Sequence, residues 1–114
     1  MSEEEEKIPR TFLKALDEFY RNSDVVFKEF DEIQGRYSKG EDIIADLKEF
    51  RSKRPGIFMV INNIFHKEVE LEDKLERGKI GKEERDKIQE FKDRFSDLAD
   101  EIDLLVLGEL GLGG

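Results

Sequence analysis

Two acidic residues near the end of the chain have the spacing of a cation site. Asp97 and Asp100 are three residues apart, so on a helix their carboxylates lie on one face. Glu70 and Glu72 occur in an earlier acidic stretch of the sequence. Carboxylate oxygens are ligands of Mg²⁺, which keeps open positions for water and substrate phosphates. Convergence of these four carboxylates around one pocket would therefore predict Mg²⁺-dependent phosphate chemistry.

The sequence of residues 97–102, Asp-Leu-Ala-Asp-Glu-Ile, resembles a motif of the MazG-like nucleoside triphosphate pyrophosphatases. Proteins of that family are four-helix and usually oligomeric, and Glu-Glu-x-x-Glu and Glu-x-x-Asp motifs hold their Mg²⁺ ions. Here Asp97 replaces the Glu of the second motif, and residues 68–72 and 83–87 both depart from the first. The resemblance implies a Mg²⁺-dependent pyrophosphatase as an alternative function.

The sequence contains one histidine, His66, with Glu70 one helical turn later. Two side chains at this spacing could share a metal ion, but a structural site needs about four ligands and no matching pair occurs elsewhere. The absence of cysteine excludes disulfides, thiolate metal sites and thiol nucleophiles. We therefore predict no metal and no cofactor, and we expect a protein that is not an enzyme.

A basic cluster, Lys48, Arg51, Lys53 and Arg54, lies at the end of a predicted helix, where positive charge complements the helix dipole. Phosphate contacts there would make the chain a nucleic-acid accessory protein, the second alternative function. The net charge of -9 opposes general nucleic-acid binding, which is driven by Lys and Arg. We expect this cluster to approach the acidic residues of the last helix instead, in the same or a second subunit.

Residues 55–65 contain no charge, although 43% of the chain is Asp, Glu, Lys or Arg. Pro55 suits the first position of a helix, and no partner strand is available, so this run predicts an enclosed helix that continues to Gly78. At about half of the ~20 residues that a membrane span requires, it belongs to a protein core. The 114-residue chain has few faces with which to cover such a helix, which predicts cover from a second subunit.

Apolar residues recur at helical spacing on both sides of this run. Their phase predicts one helix over residues 9–37, with a division into two at Asn22 as the alternative. A single helix of that length would make the molecule elongated. A further helix is predicted over 41–54, residues 78–81 form a turn, and the last helix has an unbroken seam to Gly108.

The proposed contacts with a second copy are apolar or amide side chains of the first long helix and of the enclosed helix. Phe27 lies beside the seam of the first long helix and widens its apolar face. A buried Asn62 or Asn63 could fix the register of the assembly, and the alternative is that one amide faces solvent while the other contacts the backbone. The predicted interface residues are Val26, Phe27, Phe58, Asn62 and Asn63.

Together these patterns predict an all-α protein, an elongated up-and-down bundle of four to five helices completed by dimerisation. Residues 1–114 form one domain, with an acidic disordered N-terminus over 1–8 and a glycine-rich tail over 108–114. The acidic N-terminus does not match a secretory leader, so we expect a cytoplasmic location and no membrane insertion. The Lys- and Glu-rich composition without cysteine is typical of hyperthermophile proteins. We expect an interaction or scaffolding module that acts as a homodimer, with exchanged helices as one form of assembly and an unidentified protein partner.

Overall fold

The computed structural model describes the backbone of residues 10–109 and the side chains as far as Val106. Within this part of the chain there are seven α-helices and one 3-10 turn. The helices are α1 (Arg10–Arg21), α2 (Ser23–Ser38), α3 (Ile44–Lys53), α4 (Pro55–His66), α5 (Glu68–Arg77), α6 (Lys82–Arg94) and α7 (Ala99–Glu109), and the 3-10 turn is Ser96–Leu98. The predicted all-α class is confirmed, since no strand occurs among these residues.

The predicted count of four to five helices is too low because each long helix of the prediction is divided. The expected helix over 9–37 is divided at Asn22, whose φ of -104° and ψ of 18° leave the helical region. Its side-chain Nδ2 donates to the Glu18 carbonyl at 2.9 Å, satisfying an acceptor at the end of α1. The seam passes through this bend without a change of phase, which is why the hydrophobic pattern did not locate it.

Two further predictions of continuous helices are also wrong. The helix expected from Pro55 to Gly78 is interrupted at Lys67, with φ -141° and ψ 50°. The last helix is interrupted at Phe95, the residue directly before the 3-10 turn. The helix expected from residue 41 begins at Ile44, whose N–H donates to the Asp42 carboxylate. The predicted turn over 78–81 is confirmed, with Lys79 at φ 54°.

The uncharged segment forms α4, and the prediction that it is enclosed is confirmed. Its contacts are made by α1, α3, α5, α6 and α7 of the same chain, and α1 is packed against it most extensively. Gly56 allows this close approach, because a Cβ there would lie 3.3 Å from the Ala15 Cβ. The cover that the sequence analysis assigned to a second subunit is thus supplied by the chain itself.

Phenylalanine rings form the centre of the core. Phe91 is fully buried, and its ring centroid lies 4.7 Å from that of Phe95 and 5.0 Å from that of Phe30. Phe19 and Phe27 approach Phe91 edge to face at 5.6 and 5.4 Å. Such geometries are the favourable ones for aromatic pairs. This cluster joins α1, α2 and α6 into one core.

The fold is compact but longer in one direction than in the others. Its radius of gyration is 14.6 Å, against the ~13 Å expected for a compact domain of this size, and its principal extents are 48 × 34 × 22 Å. None of the described helices combines the length and the apolar character that a membrane span requires. The predicted disordered segment 1–8 lies outside the described residues, as does the tail after Glu109, and Gly108 and Glu109 belong to α7.

Candidate functional site

The four carboxylates of the predicted Mg²⁺ site lie in three different elements. Glu70 and Glu72 are exposed on α5, Asp97 is exposed in the 3-10 turn, and Asp100 is exposed in the first turn of α7. Glu72 accepts a hydrogen bond from Arg85 Nη1 at 2.9 Å. In the described part of the chain, no three His, Cys, Asp or Glu side chains form a group able to hold a metal ion. The convergence that the Mg²⁺ hypothesis requires is therefore not found there.

His66 joins the end of α4 to the start of α7. Its ring Nε2 donates a hydrogen bond to the Ala99 carbonyl at 2.9 Å. The side chain is exposed and lies beside the ring of Phe65. The histidine thus makes a tertiary contact across the interruption at Lys67, and its partner is a backbone group rather than Glu70.

Part of the basic cluster on α3 is paired with carboxylates. Arg54 Nε lies 3.5 Å from a carboxylate oxygen of Glu29 on α2, and Lys53 lies 3.9 Å from Glu49 on its own helix. α3 packs against α7, but the carboxylates paired with Arg54 and Lys53 belong to α2 and α3 rather than to the acidic α7. The neutralised charges reduce the positive potential that phosphate binding would need.

Comparisons with protein-family models, with curated proteins and with solved structures find no match to this chain.

Of the five predicted interface residues, three are apolar and all three are buried by other helices of the same chain. Val26 is 0% exposed, Phe58 5% and Phe27 7%. A second copy could reach these side chains only if helices of the chain separated first. Contact through them would therefore require exchange of helices rather than docking of two closed surfaces.

The two amides of α4 differ in environment. Asn63 is 5% exposed, and its Nδ2 donates to the Met59 carbonyl one turn earlier at 2.9 Å. Asn62 is half-buried. Because the Asn63 amide has a partner within its own helix, its burial does not require a polar group from a second chain.

A groove of about 290 Å³ lies between α5 and α6. Its floor is apolar and consists of Ile64, Leu71, Leu75 and Ile88, while charged side chains form the rim. Two ion pairs cross the groove, Arg85 with Glu72 and Lys92 with Glu68. The ion pairs cover the floor, whose four side chains are buried.

At the exposed start of α6, the hydrogen bond and charge of Asp86 raise the pKa of Lys82 above its usual 10.5.

In the described part of the chain, three of the four exposed large apolar side chains lie on α4, α5 and α7, one on each helix. Val69 on α5 is 85% exposed, Leu104 on α7 58% and Met59 on α4 38%. α5 and α7 both contact α4. Another exposed apolar side chain in the described part, Val25, is on α2. We call Met59, Val69 and Leu104 the α4–α5–α7 surface.

Arg94 is a residue whose contacts the sequence analysis missed. Its Nη2 donates to both carboxylate oxygens of Asp31, at 2.7 and 2.6 Å. Its guanidinium carbon lies 5.2 Å from the Phe27 ring centroid and 5.3 Å from that of Phe95. The arginine covers the aromatic cluster and joins α6 to α2. The sequence offered one signal for this contact: Arg94 directly precedes Phe95, in a seam rich in Phe, so its guanidinium could be expected near aromatic rings.

Proposed function

We propose that the protein is an interaction module that acts as a homodimer. The observation that carries the proposal is the α4–α5–α7 surface, where three large apolar side chains are exposed on helices that pack together. A contiguous apolar patch marks a contact site, and the proposal is that these three side chains contribute to one such patch in the dimer. Because 43% of the chain is charged, most exposed positions carry polar residues, and large apolar side chains at exposed positions are unusual here.

The charge of the surrounding helices supports this choice of surface. α7 carries Asp100, Glu101 and Asp103, and its last turn has no basic residue. α5 has acidic residues in its first turn and basic residues in its last, Lys74 and Arg77. Two copies related by a two-fold axis could place the basic end of α5 opposite the acidic residues of α7.

The experiment compares like substitutions on and off the proposed surface. Leu104→Glu and Met59→Glu place a charge in the contact and should convert the dimer to monomer in light scattering. Val25→Glu is the matched control, because Val25 is 44% exposed but lies on α2. The control should remain dimeric. Equal behaviour of all three variants would refute this surface as the contact.

The pyrophosphatase and nucleic-acid alternatives have less support. The first needs carboxylates that converge, and Glu72 instead pairs with Arg85. The second needs free positive charge, and Arg54 and Lys53 lie near carboxylates. The cytoplasmic location and the protein partner stay predictions.

A further inference from the structure

We infer that the two copies of the dimer exchange α1, with Asn22 as the hinge. This inference rests on the proposed homodimer and specifies how it forms. In the exchanged form, α1 of one copy would cover α4 of the other, and the surface α1 covers would be the same as within a single chain.

The contact between α1 and α4 is close and extensive. Phe12, Leu16 and Phe19 of α1 are each no more than 2% exposed. Ala15 packs directly over Gly56. A Cβ on Gly56 would lie only 3.3 Å from the Ala15 Cβ. A helix with such a face cannot leave α4 uncovered in water, so its release requires another α1 to take its place.

The connection between α1 and α2 is a single residue rather than a loop. Asn22 N–H donates to the Glu18 carbonyl at 3.0 Å, and its own carbonyl accepts from Val26 N–H at 2.9 Å. Helical hydrogen bonds therefore exist on both sides of the bend. A change of Asn22 toward helical φ and ψ would join α1 and α2 into one helix over 10–38 and carry α1 away from α4.

The hydrophobic pattern fits the straight helix as well as the bent one. Phe19, Ser23 and Val26 continue the seam spacing of four and three through the hinge. Ser23 is the polar member, and it is 7% exposed in the bent chain. The bent chain also buries this seam, as Phe19 and Val26 show, so the straight and the bent form use the same apolar face.

Exchange keeps the α1–α4 contacts, so the hinge, the contact through the α4–α5–α7 surface and the protein concentration decide which form predominates. Asn is a poorer helix former than Leu, so a helical conformation at the hinge is less favourable with Asn22 than with Leu at this position. Asn22→Leu should therefore favour the exchanged dimer. The expected effect is a dimer dissociation constant lower by roughly three- to fivefold, because two hinges change in each dimer.

A disulfide across the α1–α4 contact tests the exchange directly. The chain has no cysteine, so the double variant Ala15→Cys, Gly56→Cys contains a single possible pair per α1–α4 contact. The two Cβ atoms would lie 3.3 Å apart, slightly below the ~3.5–4.5 Å Cβ separation of a disulfide, so a small outward shift of α1 brings the pair into bonding range. The protein is refolded at high concentration, checked by light scattering, oxidised and run on a non-reducing denaturing gel.

Exchange predicts a covalent dimer for the double variant, and no covalent dimer for Ala15→Cys or Gly56→Cys alone. A dimer in light scattering whose disulfide closes within one chain would overturn the exchange and leave the homodimer standing. A monomer in light scattering would refute both proposals. If the double variant does not fold, Asn22→Leu and Asn22→Gly decide: exchange requires tighter association for Leu than for Gly, and equal association overturns it.

Discussion

Substitution of Gly56 by Leu should destabilise the protein, because α1 leaves no room for a side chain there. The first added carbon would lie 3.3 Å from the Ala15 Cβ and 3.5 Å from a Glu18 carboxylate oxygen. Three further carbons must then displace α1. Overpacking of this kind costs about 1–3 kcal/mol, partly offset by the ~0.5–1 kcal/mol gained on replacing a helical glycine.

Gly35 provides the matched control for this experiment. It lies within α2, and a Cβ there would meet no atom within 4 Å. Gly35→Leu should therefore stabilise the protein by ~0.5–1 kcal/mol. The difference between the two variants removes the glycine effect and measures the overpacking alone, about 1–3 kcal/mol.

The assay is urea unfolding of both variants at one protein concentration, followed by far-UV circular dichroism. Fixed concentration is needed because association adds to the measured stability. We expect a lower midpoint than wild type for Gly56→Leu and a higher one for Gly35→Leu, with similar slopes. Equal gains in stability for both variants would refute the close packing of α1 on α4, and with it the physical basis of the proposed exchange.

Three further substitutions test other contacts by the same unfolding assay. Phe91→Ala removes a fully buried ring at the centre of the aromatic cluster and should cost about 3–5 kcal/mol, and a loss below 1 kcal/mol would contradict that position. Arg94→Ala removes the exposed pair with Asp31 and the contacts with two rings, and should cost ~1–2 kcal/mol, whereas Arg21→Ala, which removes an exposed pair on α1, should cost under ~0.5 kcal/mol. His66→Ala removes the hydrogen bond to Ala99 and should cost ~0.5–1.5 kcal/mol, and an unchanged midpoint would show that this contact does not stabilise α7.

The hydrophobic pattern identified which residues are buried better than it identified where helices end. Ile88, Phe91, Phe95, Leu98 and Ile102 were assigned to one seam, and each is buried. The interruption at Phe95 leaves that spacing intact, so the pattern contains no trace of it. At Lys67 the sequence has neither Gly nor Pro, and the break is set by tertiary contacts such as that of His66 with Ala99.

The predicted sites depended on contacts between distant parts of the chain, which spacing alone does not specify. Asp97 and Asp100 were expected on one helix, but Asp97 lies in the 3-10 turn and Asp100 lies in α7. For the two amides of α4, contact with the backbone was the alternative to a role in assembly, and Asn63 makes such a contact with the Met59 carbonyl of its own helix. The α4–α5–α7 surface was missed because Met59 and Leu104 lie among apolar neighbours that suggested burial.

Light scattering of the unmodified chain over a range of protein concentrations tests the proposed homodimer most directly. The proposal predicts a mass near 27 kDa, twice the 13.4 kDa of the chain, with dissociation on dilution. A mass of 13.4 kDa at every concentration would contradict it.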